Sequence, residues 1–366
     1  MNILITGVEG YIGSVLGPTL IKHGHRVVGI DTGFYRDAWL FNNSGDTFPE
    51  CRHKDIRQVT TGDLQGFDAV VHLAELSNDP LGQIDPGVTY GTNHIGSVQL
   101  AMKCKAAGVR RFIYSSSCSV YGAGSDLPRT EEAETGPLTT YAKCKLLVER
   151  DVAAQADGSF CPVFLRNATA YGASPRMRFD LVLNNLSGLA WVTKEIRMVS
   201  DGTPWRPLIH VRDICGAVRC ALTAPQEAVH NQVFNVGDDT QNYQVRDLAE
   251  IVAREFPGCS MSLGKSNGDN RSYRVSFQKI RDHLPTFRCR RDAVQGAREL
   301  KEVFERIDMP REVFEARPYT RLEKIQYLLK TDQINAKLFW RDASHGIERG
   351  RPAAEDSAET AIRTCT

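Results

Sequence analysis

The turn Gly7-Val8-Glu9-Gly10-Tyr11-Ile12-Gly13 constrains this chain more than any other stretch, because of what flanks it. Before it, Met1–Thr6 reads as a short buried strand. After it, Val15, Leu16, Leu20 and Ile21 form a helical apolar stripe ending near Gly24, and Val27-Val28-Gly29-Ile30 reads as a second strand with Asp31 at its end. Strand, glycine turn, helix, strand, acid is the context in which a glycine triplet binds a dinucleotide. Gly7, Gly10 and Gly13 let the backbone close on a pyrophosphate, with Tyr11 and Ile12 in the last gap. The helix N-terminus adds N–H groups and the positive end of its dipole. Asp31 is suited to accept hydrogen bonds from adenosine ribose hydroxyls. Its charge repels a 2′-phosphate, so NAD is expected in preference to NADP.

A second pattern supplies chemistry. Tyr141 and Lys145 stand four residues apart in Thr139-Thr140-Tyr141-Ala142-Lys143-Cys144-Lys145, and Ser115-Ser116-Ser117 lies upstream. Oxidising a secondary alcohol needs a base for the hydroxyl proton and an acceptor for the hydride. A free tyrosine, with a pKa of about 10, is a poor base at neutral pH. A lysine at i+4 shares its helix face, and the ammonium favours the phenolate. The same ammonium can reach a cofactor ribose, and a serine hydroxyl, Ser117, can hold the substrate oxygen. A lone Tyr-x-x-x-Lys is commonly a solvated helix face; the glycine turn and the serine run make it a candidate catalytic set.

Composition narrows the rest. Lys and Arg number 45 against 44 Asp and Glu, a net charge of +1 with both signs scattered, and no basic stripe points to nucleic acid. No apolar run reaches the length of about 18 residues expected of a membrane span. The N-terminal apolar stretch has no charged segment before it and is already the first strand. The 10 cysteines form neither a Cys-x-x-Cys pair nor a Cys/His cluster, so no metal site and no disulfide framework is expected. They read as apolar fillers in a reducing cytoplasm.

Alternating strand and helix patterns continue to about residue 170. The expected fold is α/β: a Rossmann-type doubly wound parallel sheet with a smaller mixed α/β substrate domain. Residues 1–172 are assigned to the NAD-binding half, with the strand 233–236 returning to its sheet. Residues 173–345 are assigned to the substrate half, and the polar stretch 346–366 to a disordered tail. Expected elements include a helix around Val98–Cys104, a strand Val109–Tyr114, a helix Tyr141–Ala154 and a helix Asp247–Phe256. A further helical stretch is expected around Leu322, Ile325, Leu328 and Leu329.

The spacing of the glycines with Tyr-Ile in the last gap resembles the extended short-chain dehydrogenases/reductases, and their NAD-dependent nucleotide-sugar epimerase/dehydratase branch above all. Further motifs resemble that family in order, over roughly residues 1 to 300. Asp55-Ile56-Arg57 resembles its adenine-contacting segment, and Val70-Val71-His72-Leu73-Ala74 the strand and turn beside the pyrophosphate. Asn93 stands where the family keeps a bracing asparagine. Ser115-Ser116-Ser117-Cys118-Ser119-Val120-Tyr121-Gly122 resembles its catalytic serine strand. The resemblance implies that Asp55, Ile56, Leu73, Ala74, Glu75, Asn93, Ser115, Tyr141 and Lys145 contribute to the cofactor site. It implies that Arg206, in Trp205-Arg206-Pro207, and Arg271 bind the diphosphate of a nucleotide sugar. Ser77, Asn78, Cys118, Thr169 and the pair Asn184-Asn185 are expected along the sugar. A homodimer through the helices around 98–104 and 141–154 is implied as well.

Departures from the family pattern bear on the reaction. Thr169 replaces a usual substrate-binding asparagine, and Asn167 an aromatic. Glu75 replaces a small residue and is either a polar substrate contact or a loop acid. Cys118-Ser119 replaces the Asp-Glu pair with which sugar dehydratases eliminate water, a step needing a general acid and base. The expected activity is therefore epimerisation of a nucleotide sugar through a transient keto-sugar, with Tyr141 as base. Alternatives are a sugar dehydrogenase, ketoreductase or dehydratase, and a non-catalytic NAD-binding regulatory protein. The intact Tyr/Lys/Ser set argues against the last.

Overall fold

The computed structural model of the chain describes residues 1–342 apart from 44, 78–79, 81, 83–84, 124–126, 199 and 265–270. Asn78 and the expected tail 346–366 lie outside the described residues.

Seven parallel strands form the central sheet. The first six are β1 Asn2–Thr6, β2 Arg26–Asp31, β3 Glu50–His53, β4 Ala69–His72, β5 Arg111–Ser117 and β6 Cys161–Asn167. Short strands β7 Thr169–Tyr171, β8 Glu195–Arg197 and β9 Trp205–His210 follow, then β10 Gln232–Val236, β11 Asn242–Gln244 and β12 Ser260–Ser262. The sheet order is β10-β6-β5-β4-β1-β2-β3. Ile3, Leu4 and Ile5 are wholly buried, as expected of a strand covered on both faces. The chain runs outward from β1 in both directions, through β2 on one side and β4 on the other. The loops after β1 and β4 therefore part at a topological switch point, where such sheets bind ligands. Strand β10 pairs in parallel with β6, from Gln232↔Val163 to Val236↔Asn167, so this late strand lies in the main sheet.

Strand β5 runs to Ser117, past the expected end at Tyr114. Serine has little strand preference of its own, but Ser115, Ser116 and Ser117 are held in the ladder by Leu165, Arg166 and Asn167 of β6. The helix Thr140–Ala153 begins where Thr139 caps it, its hydroxyl accepting from Ala142 N at 3.2 Å. The helix Ser97–Ala106 is preceded by a wide π-helical stretch, Tyr90–Gly96, which carries Asn93.

The second half packs the helices Val182–Thr193, Val245–Glu255 and Ala293–Arg306 around Leu183, Leu186, Leu248, Val252, Leu300 and Phe304. A three-stranded sheet, β11-β9-β7, lines the inner side of this half. The segment Arg321–Trp340 does not stay with it. Ile325, Leu328, Ile334 and Leu338 cluster with Phe34 and Leu76 from the loops after β2 and β4.

Candidate active site

The glycine turn is shaped by close approach. Gly7 has φ +76°, and its N–H donates to Ile30 O at 2.7 Å. A Cβ on Gly7 would lie 2.9 Å from Ala74 N, and one on Gly13 would collide with Gly7 O. Only glycine lets the turn pack this closely against the loop after β4 and against itself, which brings its backbone N–H groups and the helix N-terminus to the cleft. Asp31 stands beside the turn, its carboxylate accepting from Gly33 N at 2.8 Å and Glu9 N at 3.1 Å. Burial, then the nearby Glu9 carboxylate, raise its pKa. These features fit the nucleotide half of a dinucleotide.

One cleft of about 680 Å³ runs from this turn across the C-terminal ends of the strands. Gly7, Gly10, Tyr11, Ile12, Gly13, Asp31, Asp55 and Ile56 line one end; Leu73, Ala74, Glu75, Ser115, Ser117, Tyr141 and Lys145 line its middle. Ser77, Thr169, Arg206 and Arg271 line the far side. Residues distant in sequence thus share one cavity.

At its centre the serine run alternates. Ser116 turns inward and donates to Glu149, which is ion-paired with the buried Arg166 at 2.7 Å. Ser115 and Ser117 face the cleft. Ser115 Oγ accepts from Asn167 Nδ2 at 3.0 Å, and Ser117 Oγ accepts from Ser119 N at 3.1 Å. Lys145 reaches between them: its ammonium donates to Ser115 O and lies 5.3 Å from the centroid of the Tyr141 ring.

Glu75 completes this group in a way the sequence did not disclose. Its carboxylate, 2% exposed, lies 2.7 Å from Lys145 Nζ and accepts from the Tyr114 hydroxyl at 2.5 Å. Burial raises the Glu75 carboxyl against the pull of Lys145. Burial works to lower the Lys145 ammonium, but Glu75, with Tyr141 and Glu149, together outweigh it and the pKa is raised. Glu75 is thus the counter-ion of Lys145, the third possibility beside a sugar contact and a loop acid.

Three expected residues lie off the cleft. Cys118 is 1% exposed, and its thiol donates to Arg166 O at 3.1 Å. The thiol is thus turned away from the cleft, not toward a sugar, and burial raises its pKa, which makes it a poor proton donor. Asn184 is wholly buried. It accepts from Gly172 N at 3.0 Å and donates to Arg178 O at 3.1 Å and to the Tyr11 hydroxyl at 3.2 Å, while Asn185 lines the cleft. Helical periodicity sends neighbouring residues in different directions, and only one of the two could face the cavity. Asn93 touches the cleft loop from behind: it accepts from Leu76 N at 2.8 Å and donates to Leu76 O at 3.1 Å. The cleft also holds Arg178, Asp180, Tyr273, Arg321 and Leu338, which motif reading did not single out.

Residues 3–237 match the NAD dependent epimerase/dehydratase family. A UDP-glucose 4-epimerase of Streptomyces lividans is 33% identical over 273 residues, 69% of this chain and 80% of that one. A UDP-glucose 4-epimerase of Corynebacterium glutamicum is 29% identical over 275 residues, 70% of this chain and 81% of the relative. The solved UDP-glucuronic acid 4-epimerase of Bacillus cereus, in complex with UDP-glucuronic acid and NAD, superposes with a TM-score of 0.71 at 25% identity. That likeness covers 83% of this chain and 99% of the other.

Proposed function

The chain belongs to the NAD-dependent epimerase/dehydratase family, and from that premise we propose that it inverts a carbon of a nucleotide sugar through a transient keto-sugar. The observation that carries this reading is the meeting of Tyr141, Lys145 and Ser117 with the glycine turn and Arg206 in one cleft.

Each residue then has a task. The turn Gly7–Gly13 and Asp31 hold the cofactor, with Asp31 on the adenosine ribose and Asp55 and Ile56 beside the adenine. NAD, when bound, supplies the hydride acceptor. Ser117 holds the reacting hydroxyl, and Tyr141 takes its proton and gives it back. Lys145 favours the phenolate electrostatically. Arg206 and Arg271 clamp the diphosphate, for which a guanidinium fork is suited. Ser77, Thr169 and Asn185 are placed along the sugar. Residues 1–172 with β10 would form the nucleotide half.

Elimination of water is disfavoured by the same geometry. Cys118 is turned into the core, and the carboxylate of Glu75 is committed to Lys145 and Tyr114. The deciding experiment incubates purified protein with a panel of UDP-sugars and catalytic NAD, followed by mass spectrometry and NMR. A diastereomer of unchanged mass is expected. A product lighter by one water would make the enzyme a dehydratase. A product lighter by two hydrogens, with stoichiometric NADH, would make it a dehydrogenase.

The helices Ser97–Ala106 and Thr140–Ala153 are the expected face of a homodimer. Ile95 and Met102, 51% and 57% exposed, present apolar surface there. Light scattering at micromolar concentration tests this, and a monomer would refute it. A cytoplasmic location accords with the thiol state of the nine described cysteines. Among the described residues, no helix is long and apolar enough to cross a membrane.

A further inference from the structure

Arg321 opens the helix Arg321–Lys330, far beyond the family match, yet its side chain lines the cleft. It is 2% exposed. Its guanidinium stacks on the Tyr35 ring, 3.8 Å from the centroid. Its Nη1 is buried with no hydrogen-bond partner among the described residues. Neighbouring Arg178 already has a carboxylate, Asp180, at 2.8 Å. Asp31 and Asp180 act on Arg321 only at a distance, whereas burial and Arg178 push its pKa down to about 10. Arg321 is thus a buried cation in the cleft wall with an open donor and, among the described residues, no carboxylate in contact.

The segment that delivers it is tied down at several points. Lys324 pairs with Asp37 at 2.5 Å. Trp340 Nε1 donates to Thr32 O at 2.7 Å, and its ring packs on Phe34 with centroids 5.4 Å apart. Arg57, from the expected adenine segment, donates to Lys337 O at 2.9 Å and stacks on Phe339 at 3.8 Å. These contacts fix Arg321 against the loop after β2, on the dinucleotide side.

We propose that the C-terminal segment supplies Arg321 as a contact for a diphosphate bound in the cleft, a role that rests on the reading of the cleft as a dinucleotide and nucleotide-sugar site. The diphosphate is that of the dinucleotide or of the nucleotide sugar, and one design separates them. Wild type, Arg321→Met and Arg321→Lys are titrated with NAD and, separately, with UDP by calorimetry. Charge-assisted hydrogen bonds to a buried group predict a loss of at least about tenfold in Arg321→Met, partly restored in Arg321→Lys. The arm that loses affinity identifies the diphosphate. Melting of the ligand-free proteins is the second readout: removing an uncompensated buried cation should leave Arg321→Met as stable as wild type or more so. Affinities within twofold of wild type in both arms would overturn the proposal. So would a destabilised ligand-free Arg321→Met that keeps its affinities, the mark of a purely structural arginine. Failure of wild type itself to bind NAD would instead refute the underlying functional reading.

Discussion

His72 offers a test of the interior against which the cleft is built. The residue ends β4, is 1% exposed, and bridges two elements: Nδ1 lies 2.7 Å from Thr6 Oγ1 of β1, and Nε2 lies 2.8 Å from Ser97 Oγ. Phe112 and Tyr114 flank its ring. Burial, and secondarily the charge of Lys145, lower its pKa to about 3. In the unfolded chain the value is about 6.5. The folded value is thus the lower one. Between these values the unfolded chain binds the extra proton, so stability is fully present above pH 6.5 and falls as the pH drops toward 3.

The magnitude follows from the unfolded value alone while the folded ring stays neutral. Going from pH 7 to pH 5, protonation of the unfolded imidazole costs the fold about 2 kcal/mol. Other groups titrate in the same interval, so the difference between wild type and His72→Gln is the useful quantity. Urea unfolding of ligand-free protein at both pH values measures it. The variant should be less stable at pH 7 but should lose about 2 kcal/mol less than wild type on acidification. Equal losses in the two proteins would show that His72 is not held neutral.

Tyr141→Phe should lower turnover by about 10²–10⁴-fold while leaving NAD binding unchanged, since a positioned base is worth that much; steady-state kinetics on the accepted sugar checks it. Asp31 should make stripped protein bind NAD more tightly than NADP in fluorescence titrations, and Asp31→Asn should narrow the gap. Equal binding of both cofactors by wild type would remove Asp31 from the selection. Arg206→Ala should weaken nucleotide-sugar binding by more than about 1.5 kcal/mol, the worth of a charge-assisted pair, with NAD affinity unaltered by calorimetry.

Legibility in the sequence followed the range of the interaction. The turn Gly7–Gly13 and Asp31 are local: the order strand, glycine turn, helix, strand, acid is written in one short stretch of sequence. Tyr141 and Lys145 were legible for the same reason, since i and i+4 share a helix face. Asn184 was misplaced because an asparagine serves equally well as a ligand contact or as a bracket for buried backbone. Only the helix's orientation, which has Asn184 holding Gly172 N and Arg178 O, decides between them. Cys118 failed similarly: the chain leaves the strand at Ser117 for the 3-10 turn Cys118–Tyr121, which turns the thiol back onto Arg166 O. Arg321 had no sequence signal. It opens an ordinary amphipathic helix, and long-range contacts, such as the packing of Ile325 and Leu328 on Phe34 and Leu76, carry it to the cleft.

The Glu75–Lys145 pair bears on why the proposed reaction is a redox-neutral inversion. The Glu75 carboxylate is 2.7 Å from the ammonium, whereas the Tyr141 ring centre is 5.3 Å away. The Glu75 carboxylate acts on Lys145 more strongly than the Tyr141 side chain does. Removing one partner of a buried pair leaves a bare charge, at a cost of about 3–5 kcal/mol. A reaction that required Glu75 as a free acid or base would have to disrupt that pair in every cycle. Inversion makes no such demand. The proton leaves the sugar hydroxyl for Tyr141 and returns by the same route, and Glu75 and Lys145 end the cycle as they began it. Glu75, the carboxylate beside Lys145, is therefore a group whose pairing disfavours dehydration.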